Sequence, residues 1–284
     1  MEINFEFTSM EPTTSSWMEE CIPYIKDKCL HEILIPGSHN SGTYRYSCCI
    51  AAPWVRNQSA DFYEQLERGI RYFDCRLRYI PKDSYDPFKF SHESWVCDVC
   101  VLDLFESIEN FLSLHNKEII ILDFSHFRKF TDSAYVELNL RFEKIKEMVI
   151  TKDFLKNTIG ENLKTNRRIV VLSSDARFGN GEYAKSINHY DEWPNTDRPE
   201  ILKKFIQKQM CRETNRLRLF QCILSTQRIA HNLYLANYLR PYLEDWLENE
   251  WWDKVNIIFT DFSVNDKLVE IAIKANKSRG LQIC

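Results

Sequence analysis

Apolar and polar positions along the chain follow two alternating periods, and this pattern predicts an α/β protein. Seven stretches have the short apolar or alternating character of strands: 33–35, 70–79, 88–92, 118–124, 168–174, 220–224 and 255–261. Between them, stretches with apolar residues three and four positions apart indicate amphipathic helices, most clearly at 101–115. Strands that alternate with helices in this way predict one domain built on parallel strands.

A barrel is the expected form of this sheet, although the strand count falls short. A closed α/β barrel has eight strands, so seven recognisable strands predict an irregular, incompletely closed barrel or one overlooked strand. The longest stretch without a regular pattern is 175–199, which is polar and is a candidate loop over the site. We expect residues 1–16 to form a polar leader and residues 17–284 to form the barrel domain.

Composition and charge exclude several classes of protein. Of the 284 residues, 44% are hydrophobic and the net charge is −4, so a large core is available and bulk electrostatics give no support for nucleic-acid binding. The first residues are acidic and polar, unlike a signal peptide, and no apolar run is long enough to span a bilayer. With ten cysteines and no secretory signal, we expect reduced thiols and a cytoplasmic protein.

The pair Cys97-x-x-Cys100 has two interpretations. The spacing is compatible with metal or redox chemistry, but no second pair stands at zinc-finger spacing. The pair also adjoins the apolar helical pattern at 101–115, which favours a structural role.

The stretch ILIPGSHNSGTY at 33–44 holds the first candidate for chemistry. The apolar residues at 33–35 predict a strand, and Pro36-Gly37 is expected to end it as a turn. His39 then lies among short hydroxyl and amide side chains just past the strand end. By itself, such a histidine can equally well do no more than hydrogen-bond its neighbours.

Further charged side chains stand at or near the ends of the predicted strands, and together they predict an active site. The set consists of His39, Asp74, Arg76, His92, Asp123 and Asp261. In a barrel the carboxyl ends of the strands meet at one mouth, where catalysis usually takes place. Since the chain has no glycine-rich phosphate loop, GxSxG elbow or HExxH motif, the two histidines and the arginine indicate general acid/base catalysis on a phosphate ester.

The chain resembles the X domain of phosphatidylinositol-specific phospholipases C, and most of all the small eukaryotic proteins that consist of that domain alone. The resemblance runs in order from about residue 17 to residue 277. Its motifs are IPGSHNSGTY (35–44), QLERGIRYFDCRLRYI (65–80), FSHESW (90–95), KEIIILDFSHF (117–127), EWPNT (192–196), FQCILSTQ (220–227) and VNIIFTDF (255–262).

The resemblance implies a distorted TIM barrel that cleaves the bond between glycerol and phosphate in phosphatidylinositol-type lipids. It implies that His39 is the general base for the inositol 2-hydroxyl and that His92 is the general acid for the diacylglycerol oxygen. Asp261 would orient His39, while Arg76, next to Asp74, would bind the phosphate. The products would be diacylglycerol and a cyclic or hydrolysed inositol phosphate.

The resemblance leaves the metal requirement open. Asn40, Asp74 and Asp123 match positions that surround calcium in calcium-dependent relatives, whereas Arg76 stands where another acidic ligand would be. An arginine beside a divalent ion is electrostatically costly, so we favour a metal-independent enzyme; weak calcium binding is the alternative. Asn40 and Asp123 are then predicted to bind substrate, and an ion pair with Arg76 would also explain Asp123.

Two rival functions and several surface contacts stay open at this stage. The rivals are a catalytically silent phosphoinositide-binding module and a phosphodiesterase that acts on glycerophosphodiesters or GPI anchors. We expect transient membrane contact, to which Trp54, Trp95 and Trp193 contribute unless they pack in the core. Candidate contacts for ring phosphates, which are otherwise ordinary solvated side chains, are Arg177, Lys185 and Arg228.

Overall fold

The computed structural model describes residues 14–47, 50–83, 85–152, 155–185, 193–211, 215–225 and 230–281. Ten strands form one curled sheet: β1 Ile35–Ser38, β2 Tyr72–Tyr79, β3 Phe88–His92, β4 Trp95–Cys100, β5 Ile120–Arg128, β6 Val149–Ile150, β7 Ile169–Ser173, β8 Ala184–Lys185, β9 Leu219–Gln221 and β10 Ile257–Thr260. The predicted α/β class is therefore confirmed.

Over the described residues, the sheet curls into a TIM-type barrel that does not close completely. Its strand order is β6-β7-β5-β2-β1-β10-β9, and every pair along this path is parallel. The outer edge of β7 pairs with β6 at one end and with β8 at the other. Within the described ranges no strand ladder joins this edge to β9, so the expectation of an incompletely closed barrel is correct.

Helices cover the outside of the barrel strands. They are α1 Trp17–Ile25, α2 Ala52–Val55, α3 Phe62–Glu67, α4 Val101–Leu114, α5 Asp132–Phe142, α6 Ile159–Leu163, α7 Pro199–Met210, α8 Asn232–Trp246 and α9 Leu268–Leu281. Helix α8 continues into a π-helical turn at Leu247–Trp251. In the part of the chain that the model describes, none of the helices is both long and apolar enough to cross a membrane.

The first strand differs from its prediction. Strand β1 begins at Ile35 and includes Pro36 and Gly37, which had been expected to end it. Pro36 still takes part in the pairing as an acceptor, since its carbonyl receives the amide of Arg71 at 2.9 Å, and it lacks only its own N–H. Glycine fits because a Cβ at position 37 would lie 2.7 Å from the ring of Tyr72. Close approach of neighbouring strands, and not a turn, explains this glycine.

The third strand also differs, and this changes the way His92 reaches the mouth. Strand β3 runs antiparallel to β2, with Leu77 opposite Phe90, and it pairs with β4, which the prediction missed. His92 therefore lies at the end of a hairpin added to β2 and not at the end of a parallel barrel strand. The β4 cysteines Cys97 and Cys100 are buried free thiols, in agreement with a structural role.

Strand β5 is longer than predicted. It continues to Arg128, so Asp123 lies in the middle of the strand and not at its end. In the predicted loop 175–199, Phe178 is buried against the aromatic rings of Phe124 and Phe142, so the first part packs in the core. Residues 186–192 lie outside the described ranges, and the prediction of a loop over the site stays a prediction.

Charged residues on β2 have different functions at the two ends of the strand. Arg71, just before β2, is fully buried, and its guanidinium contacts Glu118 at 2.8 Å. It also donates to backbone carbonyls of Ser15, Leu66 and Ile70. Because all these partners lie at the amino end of the strand, Arg71 anchors the bottom of the barrel. Farther along β2, Asp74 and Arg76 pair with each other at the mouth.

Candidate active site

His39 is held by the backbone at the carboxyl end of β1. Its amide donates to the carbonyl of Thr260 at 3.0 Å, so β1 and β10 fix its position together. The side-chain amide of Gln58 donates to the carbonyls of both His39 and Thr260, at 2.7 and 3.0 Å. The imidazole is buried, and its environment is therefore set by protein groups.

Two charged neighbours fix the tautomer of His39. Its Nδ1 lies 2.7 Å from Asp261 Oδ1, and its Nε2 lies 3.0 Å from a guanidinium nitrogen of Arg76. A carboxylate only accepts and a guanidinium only donates. Nδ1 therefore carries the proton, and Nε2 presents its lone pair to the mouth, where it can take up a proton.

Asp74 orients the guanidinium of Arg76. The Nε of Arg76 lies 3.0 Å and its NH2 2.9 Å from Asp74 Oδ2, which also accepts from the amide of Asn40 at 3.0 Å. Burial by itself would raise the pKa of Asp74, but the charge of Arg76 and the nearby His39 outweigh burial and hold that pKa below its usual value. Asp74 is thus an ionised, buried anchor for Arg76.

His92 comes to the same mouth from the β3–β4 hairpin. Its Nδ1 lies 3.0 Å from the carbonyl of Val55 at the end of α2, and a carbonyl can only accept. Nδ1 therefore carries a proton, and Nε2 is the atom that can gain or lose one. Burial lowers the pKa of His92, and the electrostatic effects of His39 and Arg76 lower it further.

Asn40 and Asp123 lie beside these groups in the barrel interior. Asn40 has a left-handed backbone, φ 44°, which turns the chain immediately after His39. Asp123 is opposite Asp74 in the β2–β5 ladder and accepts from the hydroxyl of Tyr72 at 2.9 Å. All seven residues proposed from the sequence are therefore on the strands and loops that form one mouth.

One further histidine belongs to this mouth. His126 is paired with Arg76 in the β2–β5 ladder. Burial lowers the pKa of His126 to about 4, and the positive charge of Arg76 adds to the effect. The extra length of β5, which continues past Asp123 to Arg128, carries His126 to the mouth.

Comparison with curated proteins supports the resemblance seen in the sequence. The chain is 32% identical over 159 residues to PI-PLC X domain-containing protein 2 of Homo sapiens, a match that covers 48% of this chain and 52% of that protein. It is 28% identical over 225 residues to PI-PLC X domain-containing protein 1 of Mus musculus, covering 68% and 63%. The chain is therefore similar to PI-PLC X domain-containing proteins over about half to two thirds of its length. The first match spans only about half of the human protein, and no family model matches.

Solved structures show that this chain shares its fold with bacterial enzymes. A double mutant of the phosphatidylinositol-specific phospholipase C from Staphylococcus aureus matches with a TM-score of 0.76 at 18% identity, over 93% of this chain and 97% of the other. The phosphatidylinositol-specific phospholipase C from Listeria monocytogenes matches with a TM-score of 0.73 at 21% identity, over 93% and 99%. At these identities the likeness establishes the barrel fold.

Sequence analysis missed Asn57, a buried residue that connects the mouth residues. Its Nδ2 donates to Asp261 Oδ1 at 2.9 Å, and its Oδ1 accepts from Asn40 Nδ2 at 3.1 Å. The Asp261 carboxylate therefore fixes the orientation of the Asn57 amide, which in turn fixes that of Asn40. Asn40 Oδ1 is buried without a hydrogen-bond partner and is left as an acceptor. No sequence motif marks Asn57, because the connection exists only in three dimensions.

The donor set at this mouth does not fit a dedicated calcium cage. The carboxylate of Asp74 accepts hydrogen bonds from the guanidinium of Arg76, and the carboxylate of Asp123 accepts one from the hydroxyl of Tyr72. Among the described residues no three His, Cys, Asp or Glu side chains form a group that could hold a metal ion. A divalent ion also prefers several free oxygen ligands and no neighbouring cation.

Of the three predicted ring-phosphate contacts, the structure describes the side chain of Arg177 alone. Arg177 pairs with Asp175 and Asp132 beside α5, at 2.6 and 2.9 Å, which is the arrangement of a surface ion network. The side chain of Lys185 is outside the described part of the structure, and so is Arg228. Of the three predicted lipid contacts, Trp54 and Trp95 are exposed and Trp193 is half-buried.

Proposed function

We propose that this chain is a phosphatidylinositol-type phospholipase C that cleaves the glycerol–phosphate bond without a metal ion. The main observation in support is the arrangement of His39, which lies between Asp261 and Arg76 with its Nε2 lone pair toward the mouth. His92 is the second imidazole of the same mouth. Cleavage of the phosphodiester requires that the attacking hydroxyl lose a proton, that the leaving oxygen gain one and that negative charge on the phosphate be stabilised. Two histidines and a guanidinium meet these three needs.

In the proposed first step, His39 removes the proton from the inositol 2-hydroxyl. Nε2 accepts that proton as the hydroxyl oxygen attacks phosphorus, and the imidazolium is stabilised by Asp261 at Nδ1. Arg76 contacts the same Nε2 in the free protein, so substrate must take its place there. The guanidinium then pairs with the phosphate, and Asp74 keeps its plane fixed. An internal nucleophile has the advantage of a high effective concentration.

In the same step, His92 protonates the leaving oxygen. The bond between phosphorus and the glycerol oxygen breaks, and the proton from His92 Nε2 converts that oxygen into the hydroxyl of diacylglycerol. Because burial and nearby positive charge lower the pKa of His92, the free protein holds it mainly neutral at neutral pH. The bound phosphodiester anion would raise this pKa, so substrate itself favours the protonated form.

Asn40 and Asp123 are proposed to bind the sugar ring. Asn40 Oδ1 is a buried acceptor without a partner and can accept from a ring hydroxyl. Asp123, fixed by Tyr72, is a second acceptor nearby. A site that keeps a buried acceptor such as Asn40 Oδ1 for a hydroxyl group discriminates strongly against headgroups that lack that hydroxyl.

We also propose that the protein works at the surface of a membrane facing the cytoplasm, with contact through an exposed aromatic face. This face consists of Trp54 on α2 and Leu233, Tyr234, Tyr238 on α8; Trp54 packs against His231 with ring centroids 4.8 Å apart. The neighbouring residue Val55 accepts from His92, so the face adjoins the mouth. Aromatic side chains with a polar tip suit the membrane interface.

Two substrates separate the proposed roles of the histidines. His39→Ala and His92→Ala should each abolish cleavage of phosphatidylinositol while circular dichroism and thermal unfolding stay like those of the unmodified chain. With an inositol phosphate ester of an acidic phenol, the leaving group needs no proton. His92→Ala should then recover turnover, and His39→Ala should not.

The same experiment decides between an enzyme and a silent binding module. If the unmodified chain binds phosphatidylinositol vesicles but cleaves neither substrate, the enzyme assignment is wrong. If both variants lose turnover of the acidic phenol ester to the same extent, the roles given to His39 and His92 are wrong. A panel that includes a GPI-anchored protein would identify a preference for that lipid.

A further inference from the structure

Three cationic residues stand side by side on neighbouring strands outside the mouth. Arg78 of β2 is opposite Arg128 in the parallel β5 ladder and opposite Lys89 in the antiparallel β3 ladder. Directly paired residues point to the same face of a sheet, and neighbouring strands are about 5 Å apart. The three side chains therefore form one row, which we call the cationic row.

The cationic row continues the face that carries the candidate site. Arg78 follows Arg76 by two residues on β2, and Arg128 follows His126 by two residues on β5, so each pair shares a face. Two residues along a strand span about 6.6 Å. The positive charge of Arg128 contributes to the lowered pKa of His126, which places Arg128 near the mouth.

Among the described residues, the ion pairs of the row lie at its two ends. Lys89 pairs with Asp83 at 3.4 Å, and Arg128 pairs with Glu93, a largely exposed residue. The central residue, Arg78, is half-buried and donates to the carbonyl of Ser94 at 3.4 Å, a long hydrogen bond. Like charges directly opposite each other destabilise a sheet. Three cations beside two carboxylates leave one positive charge at the centre of the row.

We propose that the cationic row of Lys89, Arg78 and Arg128 binds a second phosphate group. This group would lie two residues farther along β2 than the phosphate bound at Arg76. Two sources share this chemistry: a phosphomonoester on the inositol ring of the substrate, or the headgroup of a neighbouring anionic lipid. The inference rests on the proposed function for its substrate. Arginine at the centre suits the role, since its planar fork can hold two phosphate oxygens at once.

Binding measurements test the row independently of turnover. In the first arm, titration calorimetry compares inositol 1-phosphate with inositol 1,4-bisphosphate and inositol 1,4,5-trisphosphate. In the second arm, sedimentation compares vesicles of phosphatidylcholine alone with vesicles that contain phosphatidylserine. In one arm, we expect the affinity to be about tenfold or more higher for the ligand or vesicle that carries the additional anionic group, which is the effect of a hydrogen-bonded charge pair. This increase in affinity should shrink at high salt. Arg78→Gln should remove that gain.

Matched variants keep the test specific. Arg78→Lys keeps the charge and should retain part of the gain, and Lys89→Gln should reduce it. Arg68→Gln is the control, because Arg68 is an exposed arginine elsewhere with one weak partner, Glu64 at 3.6 Å, and it should change nothing. A gain in the first arm identifies a ring phosphate, and a gain in the second identifies a neighbouring lipid.

Two results would overturn the proposal. One is a protein that binds no second phosphate in either arm. The other is a gain that Arg78→Gln leaves intact while the variant remains folded. A protein that binds the second phosphate through Arg78 yet turns over neither test substrate would support the row and contradict the proposed enzyme.

Discussion

Asn57 donates to Oδ1 of Asp261 at 2.9 Å, the same oxygen that accepts from His39 Nδ1 at 2.7 Å. One carboxylate oxygen thus accepts from two buried donors. The Oδ1 of the same Asn57 amide accepts from Nδ2 of Asn40. The orientation of the proposed base and that of the proposed sugar contact are therefore connected through a single amide. A change at position 57 should affect proton transfer and substrate binding together.

Asn57→Asp should lower kcat/KM about 10- to 100-fold, the usual effect of removing a partner that orients a site residue. The new carboxylate adds negative charge near His39, which favours its protonated form. The acidic limb of the pH–rate profile, where the rate depends on deprotonation of the general base, should therefore move to higher pH. Asn57→Leu removes the same hydrogen bond without adding charge, so it should lower the rate and leave the limb in place. Identical profiles for the two variants would contradict this role.

Arg76→Lys should reduce kcat by about 10²- to 10³-fold, because an ammonium cannot contact Asp74 and a phosphate in one plane. The unmodified chain should keep its activity in the presence of a chelator. Assays of both proteins with chelator and with added calcium provide the check. Activity that requires calcium in the unmodified chain would contradict the metal-independent proposal, and Arg76→Lys shows in the same assay whether the guanidinium matters.

Replacement of Trp54 and Tyr238 by alanine should weaken binding to phosphatidylcholine vesicles that contain phosphatidylinositol. Burial of a large apolar side chain contributes about 1.5–3 kcal/mol, so loss of two partly inserted rings should cost about tenfold or more. Turnover of a water-soluble inositol phosphate ester should not change. Leu114→Ala, at an exposed position on α4, is the control. Vesicle binding that falls equally in the control would show that the loss is not specific to the aromatic face.

Folding stability should fall as the pH drops from about 6.5 toward about 4, in part because of His126. Its pKa is lowered from 6.5 to about 4 in the folded protein, so the unfolded chain binds more protons across this window. His126→Gln should therefore reduce the slope of the unfolding free energy against pH between these values. Urea titrations at several pH values measure the slope. An unchanged slope would mean that His126 does not titrate in this way.

The strand-end pattern predicted the barrel and the mouth residues because apolar runs and terminal charges are local features of a sequence. Asp261 directly follows β10 and His39 directly follows β1, as their runs suggested. The pattern could not predict that β3 turns back on β2, since an apolar run has no direction. It also missed Asn57, whose importance comes from contacts with residues far away in the chain. Gly37 was misinterpreted as a turn, because close packing and turns both select glycine.

The two imidazoles of the mouth have different structural supports. His39 is attached to β1 of the barrel itself, whereas His92 is carried by a hairpin added to β2. Because Phe88 and Phe90 pack the hairpin into the core, a change that removes only the imidazole of His92 would take away the proposed proton donor and keep the barrel in place. Under the proposed roles, a lipid-cleaving protein and a lipid-recognising protein with this fold would then differ by one side chain at the end of a hairpin strand.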